Sequence, residues 1–411
     1  MLCASYFYPI ARTKQLPVKI NSGGFEPIRS KNNFLVFGAP VIEDDEIQEV
    51  VASMKSGWLG TGPKVARFES GFAKYKGAEY VAAVNSGTAA LHLSIIASGL
   101  KPEDEVITTP MTFCATINAI IHAGATPVLA DVDPVTMNID PEQVRKHITP
   151  KTKAILPVHF AGRPCNMDAL CSIAESHNLR IIEDCAHAIE TEYKGRKAGT
   201  FGDFGCFSFY VTKNVVTGEG GMVISNSEED AARIKMLALH GMSTDAWKRF
   251  ADEGYKHYYV VECGFKYNMM DLQAAIGIHQ LKRVEANWDR RQQIWDMYNK
   301  AFADLPLIIP ALVEPDTRHA YHLYTMLIDK KKTGFNRDEF LNFMTANNIG
   351  VGVHYSSIPE HPYYQKTFGW KAEDYPNATL IGRQTISLPL SAKLADEDVE
   401  DVIEAVRTTL G

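Results

Sequence analysis

Tyr80-Val-Ala-Ala-Val-Asn-Ser-Gly-Thr-Ala-Ala-Leu-His-Leu-Ser-Ile-Ile-Ala97 decides the fold class. Its first five residues suit a short buried strand, Asn85-Ser-Gly-Thr88 interrupts them, and the Ala- and Leu-rich remainder reads as a helix. The same order recurs downstream. Glu105–Pro110 reads as a strand, and Met111-Thr-Phe-Cys-Ala-Thr116 opens a helix that ends at Gly124. Strand Thr126–Asp131, helix Asp140–His147, strand Ala154–His159, helix Asp168–His177 and strand Arg180–Asp184 continue the alternation. Repeated strand–helix units at this spacing predict an α/β protein with a mostly parallel sheet covered by helices on both faces.

Upstream, Ile47, Val50, Val51 and Met54 recur at helical spacing, predicting a helix over Asp44–Ser56 that stops at Gly57. A glycine-flexed loop, Trp58-Leu-Gly-Thr-Gly62, precedes a second helix over Pro63–Lys76. Residues 1 to 35 read as an irregular extension. Met1–Tyr8 is apolar, but it lacks a basic flank and Pro9 interrupts it too early for a secretory signal. Downstream, Ser227–His240 reads as a helix, and Gly241–Tyr259 as a polar, aromatic-bearing excursion without periodicity. One long helical pattern then runs from Asp271 to about Leu305, with Leu272, Ala275, Ile276, Leu281, Val284, Trp288, Ile294, Trp295, Tyr298 and Phe302 near one side. Tyr321–Ile328, Arg337–Asn347, Gly350–Tyr355 and a final helix from Asp396 suggest a smaller α+β unit. The 411 residues suffice for two packed cores, since single cores stop growing near roughly 250–300 residues. The expected division is an extension over 1–35, a large domain over 36–270, and a connecting helix with a small domain over 271–411.

The net charge of −7 comes without a basic stripe, which argues against nucleic acid or an anionic membrane surface as partner. Seven cysteines, an odd number with no C-x-x-C spacing, suggest neither a disulfide framework nor a metal site and fit a reducing cytoplasm. No stretch supplies the ~18 uninterrupted apolar residues of a membrane span.

Four stretches carry candidate chemistry. At Ser86-Gly87-Thr88 a strand meets a helix start, where free N–H groups and the positive end of the dipole suit an anion such as a phosphate; a plain N-cap with nothing bound is the alternative. Phe113 lies at a strand-to-helix junction over the carboxyl edge of the sheet, placed either to stack on a ring or to cover the core. Asp184 closes a buried strand and calls for a cation or donor hydrogen bonds, unless it caps the next segment; His187 follows three residues on. Phe207-Ser-Phe-Tyr-Val-Thr-Lys-Asn214 runs an aromatic strand into Lys213, followed by Gly218-Glu-Gly-Gly221 and a second strand. A lysine in such a place is either a solvated turn residue or a desolvated amine of lowered pKa, suited to Schiff-base chemistry. Phosphate cradle, aromatic, buried acid and strand-end lysine together match the groups of pyridoxal phosphate.

With Ser56-Gly-Trp-Leu-Gly-Thr-Gly-Pro63, Pro157-Val-His-Phe-Ala-Gly162, Glu183-Asp-Cys-Ala-His187 and Phe265-Lys-Tyr-Asn268 followed by Asp271, these blocks make the chain from about Phe37 onward resemble the DegT/DnrJ/StrS family of pyridoxal-phosphate-dependent nucleotide-sugar aminotransferases. The resemblance implies a fold of the aspartate-aminotransferase type (fold type I), with a smaller C-terminal domain, working as a homodimer with shared active sites. It makes Lys213 the Schiff-base lysine and proton carrier, and Asp184 the partner of the pyridine nitrogen. Phe113 would stack on the ring, and His187 would lie against it where many relatives have glutamine. Gly87, Thr88 and Ser208 would hold the phosphate, and Asn268 would reach the phosphate in the neighbouring subunit. Dehydratase relatives carry histidine at the position of Lys213, so that branch is disfavoured. Glutamate is the implied amino donor and a nucleotide-linked keto-sugar the acceptor. Trp58, His354, Tyr355, His361 and Tyr363 fall in regions that approach the substrate. The branch most resembled aminates carbon 4 of a UDP-linked 4-keto-6-deoxyhexose for envelope polysaccharide. Amination at carbon 3, a dTDP or GDP carrier, another pyridoxal-phosphate reaction or a ligand sensor remain as alternatives.

Overall fold

A computed structural model describes residues 26–243 and 257–410. Its main sheet is built from β1 (Tyr80–Val84), β2 (Glu105–Thr108), β3 (Thr126–Leu129), β4 (Thr152–Leu156), β5 (Arg180–Asp184), β6 (Phe204–Ser208) and β7 (Gly221–Ser225), in the order β1-β7-β6-β5-β4-β2-β3. Pairing is parallel from β6 across to β3, whereas β7 is antiparallel to both β1 and β6. Every strand except β7 therefore ends on the same edge, where an α/β sheet of this kind offers its ligand crevice.

Side chains leave a strand alternately on its two faces, and both faces are covered here. Ala82, Val84, Val106, Leu156, Ile182, Phe204, Cys206 and Val223 share a core with α3 (Gly87–Ala97), α4 (Cys114–His122) and α7 (Glu228–Leu237). Their neighbours Val81, Ala83, Phe207, Met222 and Ile224 meet Val65, Phe68 and Phe72 of α2 (Pro63–Lys76) and Ala274 and Ile278 of α8 (Asp271–Lys282). Toward the other end, Ile107, Ile155 and Ile181 pack on Leu170 and Ile173 of α6 (Met167–His177). Full burial of such a side chain contributes about 1.5–3 kcal/mol, and a one-residue slip would exchange the two sets, so register is strongly specified.

The single helix expected from Asp271 to about Leu305 is two helices. Arg283 leaves the helical region (φ −99°, ψ 3°) between α8 and α9 (Val284–Phe302). The break lets each half face a different core. α8 serves the sheet, whereas Ile294, Trp295, Tyr298 and Phe302 of α9 pack with Tyr324, Met326, Phe340, Ile386, Leu388, Val402 and Val406. The change of core thus falls at Arg283, within the stretch expected to connect the two domains. This second core is formed around the antiparallel pair β8 (Tyr324–Leu327) and β9 (Thr385–Leu388). The strand expected over Gly350–Tyr355 is reduced to a bridge between Gly352 and Ser387. Residues 26–35 of the irregular extension are tied to this core. Leu35 is buried in the second core, and Arg29 pairs with Asp398 at 2.8 Å and Asp401 at 2.6 Å. The rest of that extension and residues 244–256 of the polar excursion lie outside the described residues. No described helix is long and apolar enough to cross a membrane.

Glu49 ties α1 (Asp44–Ser56) to its neighbours, accepting from Lys64 (2.6 Å), Arg67 (2.9 Å) and His279 (2.9 Å). Burial would raise its pKa, but these bonds outweigh burial and hold it at about 2, against an ordinary 4.5. A depressed folded-state pKa means that stability is fully present above 4.5 and lost as pH falls toward 2. Glu49→Gln is therefore expected to flatten the acid limb of a stability profile in that window, which denaturant titrations at stepped pH would read.

Candidate active site

The carboxyl edge gathers the candidate residues. β1 leads through Asn85 to Ser86, whose side chain caps α3 by accepting from the Ala89 N–H at 3.1 Å. Gly87 and Thr88 open the first turn of α3, where N–H groups have no partner within the helix, and both line the cavity beyond the strand ends. A Cβ on Gly87 would lie 2.8 Å from Cβ of Ser208, and one on Gly221 would lie 2.3 Å from the Ser86 carbonyl. Glycine is required for this close approach of β1, β6 and β7. β2 delivers Phe113, the N-cap of α4, 57% exposed at the mouth. β5 delivers Asp184, and the hairpin between β6 and β7 delivers Lys213 in its loop. Together with His187, His322, His354 and Tyr355 they line one cavity of about 540 Å³.

Asp184 accepts from Thr116 Oγ1 at 2.9 Å and from the Ala186 N–H at 3.1 Å, and Thr112 and Thr116 join their hydroxyls at 2.7 Å. Burial pushes its carboxyl up, opposed by these bonds and by Lys213. Burial conversely lowers Lys213 to about 8, with Asp184 pulling the other way. The preceding Glu183 accepts from the N–H groups of Gly199, Phe201 and Gly202 and pairs with His159 at 3.0 Å, which anchors the end of β5.

Backbone groups assign the tautomer of His187. The Ala161 N–H can only donate, and it meets Nδ1 at 3.3 Å. Burial, then Lys213 and His354, hold His187 well below its ordinary pKa, so the ring is neutral with its proton on Nε2. Nε2–H then donates to the Tyr355 oxygen at 3.1 Å, leaving the phenol O–H free to donate. His354, stacked 5.3 Å from Phe37 and bonded through Nδ1 to Ser387, is lowered to about 4 by burial and by Lys213.

The donor set fits an aromatic aldehyde phosphate. A helix N-terminus with a hydroxyl beside it suits the phosphate, a buried carboxylate suits a protonated ring nitrogen, and a lysine of lowered pKa suits the aldehyde. Capture of the cofactor by apoenzyme is accordingly expected to accelerate about tenfold per pH unit below 8 and level off above it, since the neutral amine attacks. Stopped-flow absorbance across pH 6 to 9 tests this.

Gly87, Thr88, Phe113, Asp184, His187, Ser208, Lys213, His354 and Tyr355 thus line the cavity, and other anticipated residues do not. Trp58 is 53% exposed with its indole N–H on the Thr61 carbonyl at 3.1 Å. Asn268 donates to Thr61 Oγ1 at 2.7 Å. His361 precedes a short helix (Pro362–Phe368), and Tyr363 on that helix is exposed. Thr116 and His322 were not anticipated. Thr116 stood in a quoted block four residues after Thr112, one helical turn, and so was findable; nothing local marked His322.

The chain is similar to known proteins over most of its length. A model of the DegT/DnrJ/EryC1/StrS aminotransferase family matches residues 40–407. The spore coat polysaccharide biosynthesis protein SpsC of Bacillus subtilis is 50% identical over 381 residues, covering 92% of this chain and 98% of that protein. A putative sugar aminotransferase of Streptococcus pneumoniae, Spr1654, solved in its PMP form, superposes with a TM-score of 0.84 at 33% identity, over 92% of this chain and 97% of that one. DesI, solved in the presence of its TDP-sugar product, gives 0.82 at 31% identity, over 93% and 94%.

Proposed function

This chain belongs to the DegT/DnrJ/EryC1/StrS aminotransferase family and is a pyridoxal-phosphate-dependent sugar aminotransferase, and we propose that it moves the amino group of glutamate to a nucleotide-linked keto-sugar. The observation that carries this reading is Lys213 and Asp184 in one cavity with the helix start at Gly87 and Thr88. The narrower acceptor is a UDP-linked 4-keto-6-deoxyhexose, made in the cytoplasm for envelope polysaccharide. The likeness to a spore coat polysaccharide protein supports the polysaccharide role, and the TDP-sugar neighbour keeps other carriers in the test.

Pyridoxal phosphate supplies an aldehyde that couples to amines and a ring that withdraws electrons from the adjacent carbon. The N–H groups of Gly87 and Thr88 and the Ser208 hydroxyl would bind its phosphate. Asp184, held by Thr116 and the Ala186 N–H, would keep the ring nitrogen protonated. Phe113 would cover one face of the ring, with His187 against it. The Lys213 amine, lowered to about 8, can release and regain a proton near neutrality and would carry it between the α-carbon of the amino acid and the cofactor. Tyr355 and His354 would meet the sugar. The discriminating experiment loads the enzyme with glutamate, then offers UDP-, dTDP- and GDP-linked 3-keto and 4-keto sugars while the cofactor absorbance is followed. Return of the starting spectrum with a nucleotide sugar supports the reading. Return with free 2-oxo acids alone overturns it.

Asn268 serves the partner's site in this reading. Its absence from the cavity of its own chain supports this, as do Trp58, Leu59 and Met270 exposed on adjoining loops, which suit burial in a homodimer. Mixing Lys213→Ala with Asn268→Ala subunits is then expected to restore activity, because the heterodimer holds one doubly damaged and one intact site. Both substitutions in one chain should give no rescue. Absence of rescue in the first mixture, with subunit exchange shown, would place both residues in one subunit's site.

A further inference from the structure

Behind the cavity runs a buried polar chain that the mechanism above does not use. Asn214, next to Lys213, places its Nδ2 2.9 Å from the Ala320 carbonyl and 2.9 Å from Oε2 of Glu190. The Ala320 carbonyl can only accept, so the NH2 end of Asn214 must face that way and its Oδ1 must face Nδ1 of His322, 2.9 Å off. An amide oxygen accepts only, which places the imidazole proton on Nδ1. Burial and the neighbouring His187 and Lys213 keep His322 well below its ordinary pKa, so the ring is neutral. Its Nε2 is then a bare lone pair on a ring that lines the cavity, and no protein donor reaches it among the described residues. The ring sits 4.4 Å from that of His187, which in turn holds Tyr355.

We propose that Asn214, braced by Glu190 and the Ala320 carbonyl, is a positioning residue that locks His322 as the Nδ1–H tautomer and so makes its Nε2 the acceptor for a hydroxyl of the keto-sugar. The inference rests on the sugar-aminotransferase reading above. The chemistry is selective. A sugar hydroxyl donates to a lone pair, whereas a carboxylate of glutamate or 2-oxoglutarate has no proton to give and is repelled there. Nearby, the free O–H of Tyr355 offers the opposite polarity, so the pair matches a ligand that carries both donors and acceptors.

The test uses holoenzyme with 15N-labelled histidine, the His322 resonances being identified by their loss in His322→Gln. Wild type is expected to show the protonated Nδ1 and unprotonated Nε2 pattern. Asn214→Leu removes the acceptor of similar size and is expected to shift His322 to the Nε2–H form and to raise KM for the keto-sugar about tenfold, the effect of one buried hydrogen bond, with a smaller change in kcat. Glu190→Gln keeps an oxygen for Asn214 and should keep the wild-type tautomer. An Nε2–H pattern in wild type overturns the proposal, as does an unchanged tautomer in Asn214→Leu or an equal loss for glutamate and sugar. Should Asn214→Leu not fold, the wild-type spectrum still decides. If no nucleotide sugar reacts at all, the parent reading fails, while the tautomer measurement judges the lock separately.

Discussion

Lys213→Ala is expected to lose both the covalent cofactor and turnover. Borohydride treatment of wild type should leave the cofactor mass on the peptide containing Lys213, and the variant should carry none. Turnover should drop by about 10⁴-fold or more, because the proposed attachment point and proton carrier disappear together. The buried site makes Lys213 suited to this task. Its pKa of about 8 follows from desolvation, with Asp184 holding it from falling further. Cofactor mass retained on another lysine of the variant would move the chemistry elsewhere.

Asp184→Asn comes next in expected effect. The amide keeps the shape of the carboxylate: its oxygen can still accept from the Ala186 N–H, which lies 3.1 Å from one carboxylate oxygen, and its NH2 can donate to the Thr116 hydroxyl oxygen, 2.9 Å from the other, with the Thr116 proton turned to Thr112, so folding should survive. What disappears is the negative charge proposed to pair with the ring nitrogen. Loss of one such preorganised electrostatic contact lowers turnover about 10²–10³-fold, and cofactor attachment at Lys213 should persist. The substitution also removes the charge that supports the lysine's proton, so the Lys213 pKa should move below about 8. A turnover within a fewfold of wild type would show that Asp184 does not carry the ring-nitrogen role.

The part of the site that could be read along the sequence is the part built at strand ends. Ser86-Gly87-Thr88, Phe113, Asp184 and Lys213 each follow a run of buried strand residues, and a parallel sheet brings such ends to one edge whatever the loops do. The pairings between distant elements left no such trace. Thr116 reaches Asp184 across 68 residues, and Asn214 reaches His322 across 108, distances set by packing rather than by any local period. The break at Arg283 was hidden for a related reason. Apolar residues recur on both sides of it, and only the existence of two cores shows that they face different ways. Thr385–Leu388 escaped notice because four residues are too short for alternation to stand out, although all four are buried. Trp58 stood in a block of family-like sequence and His361 in a region assigned to the substrate by resemblance alone, yet resemblance locates a loop without saying which subunit's cavity it faces.

The most direct measurement follows the nitrogen itself. Enzyme charged with 15N-glutamate and freed of excess donor is mixed with a UDP-linked 4-keto-6-deoxyhexose, and the products of a single turnover are weighed by mass spectrometry. The expected result is an amino sugar carrying one 15N per active site, still attached to its nucleotide, and no such product from Lys213→Ala. Label that stays on the enzyme with every nucleotide-linked keto-sugar, and leaves only when a free 2-oxo acid is added, would contradict it.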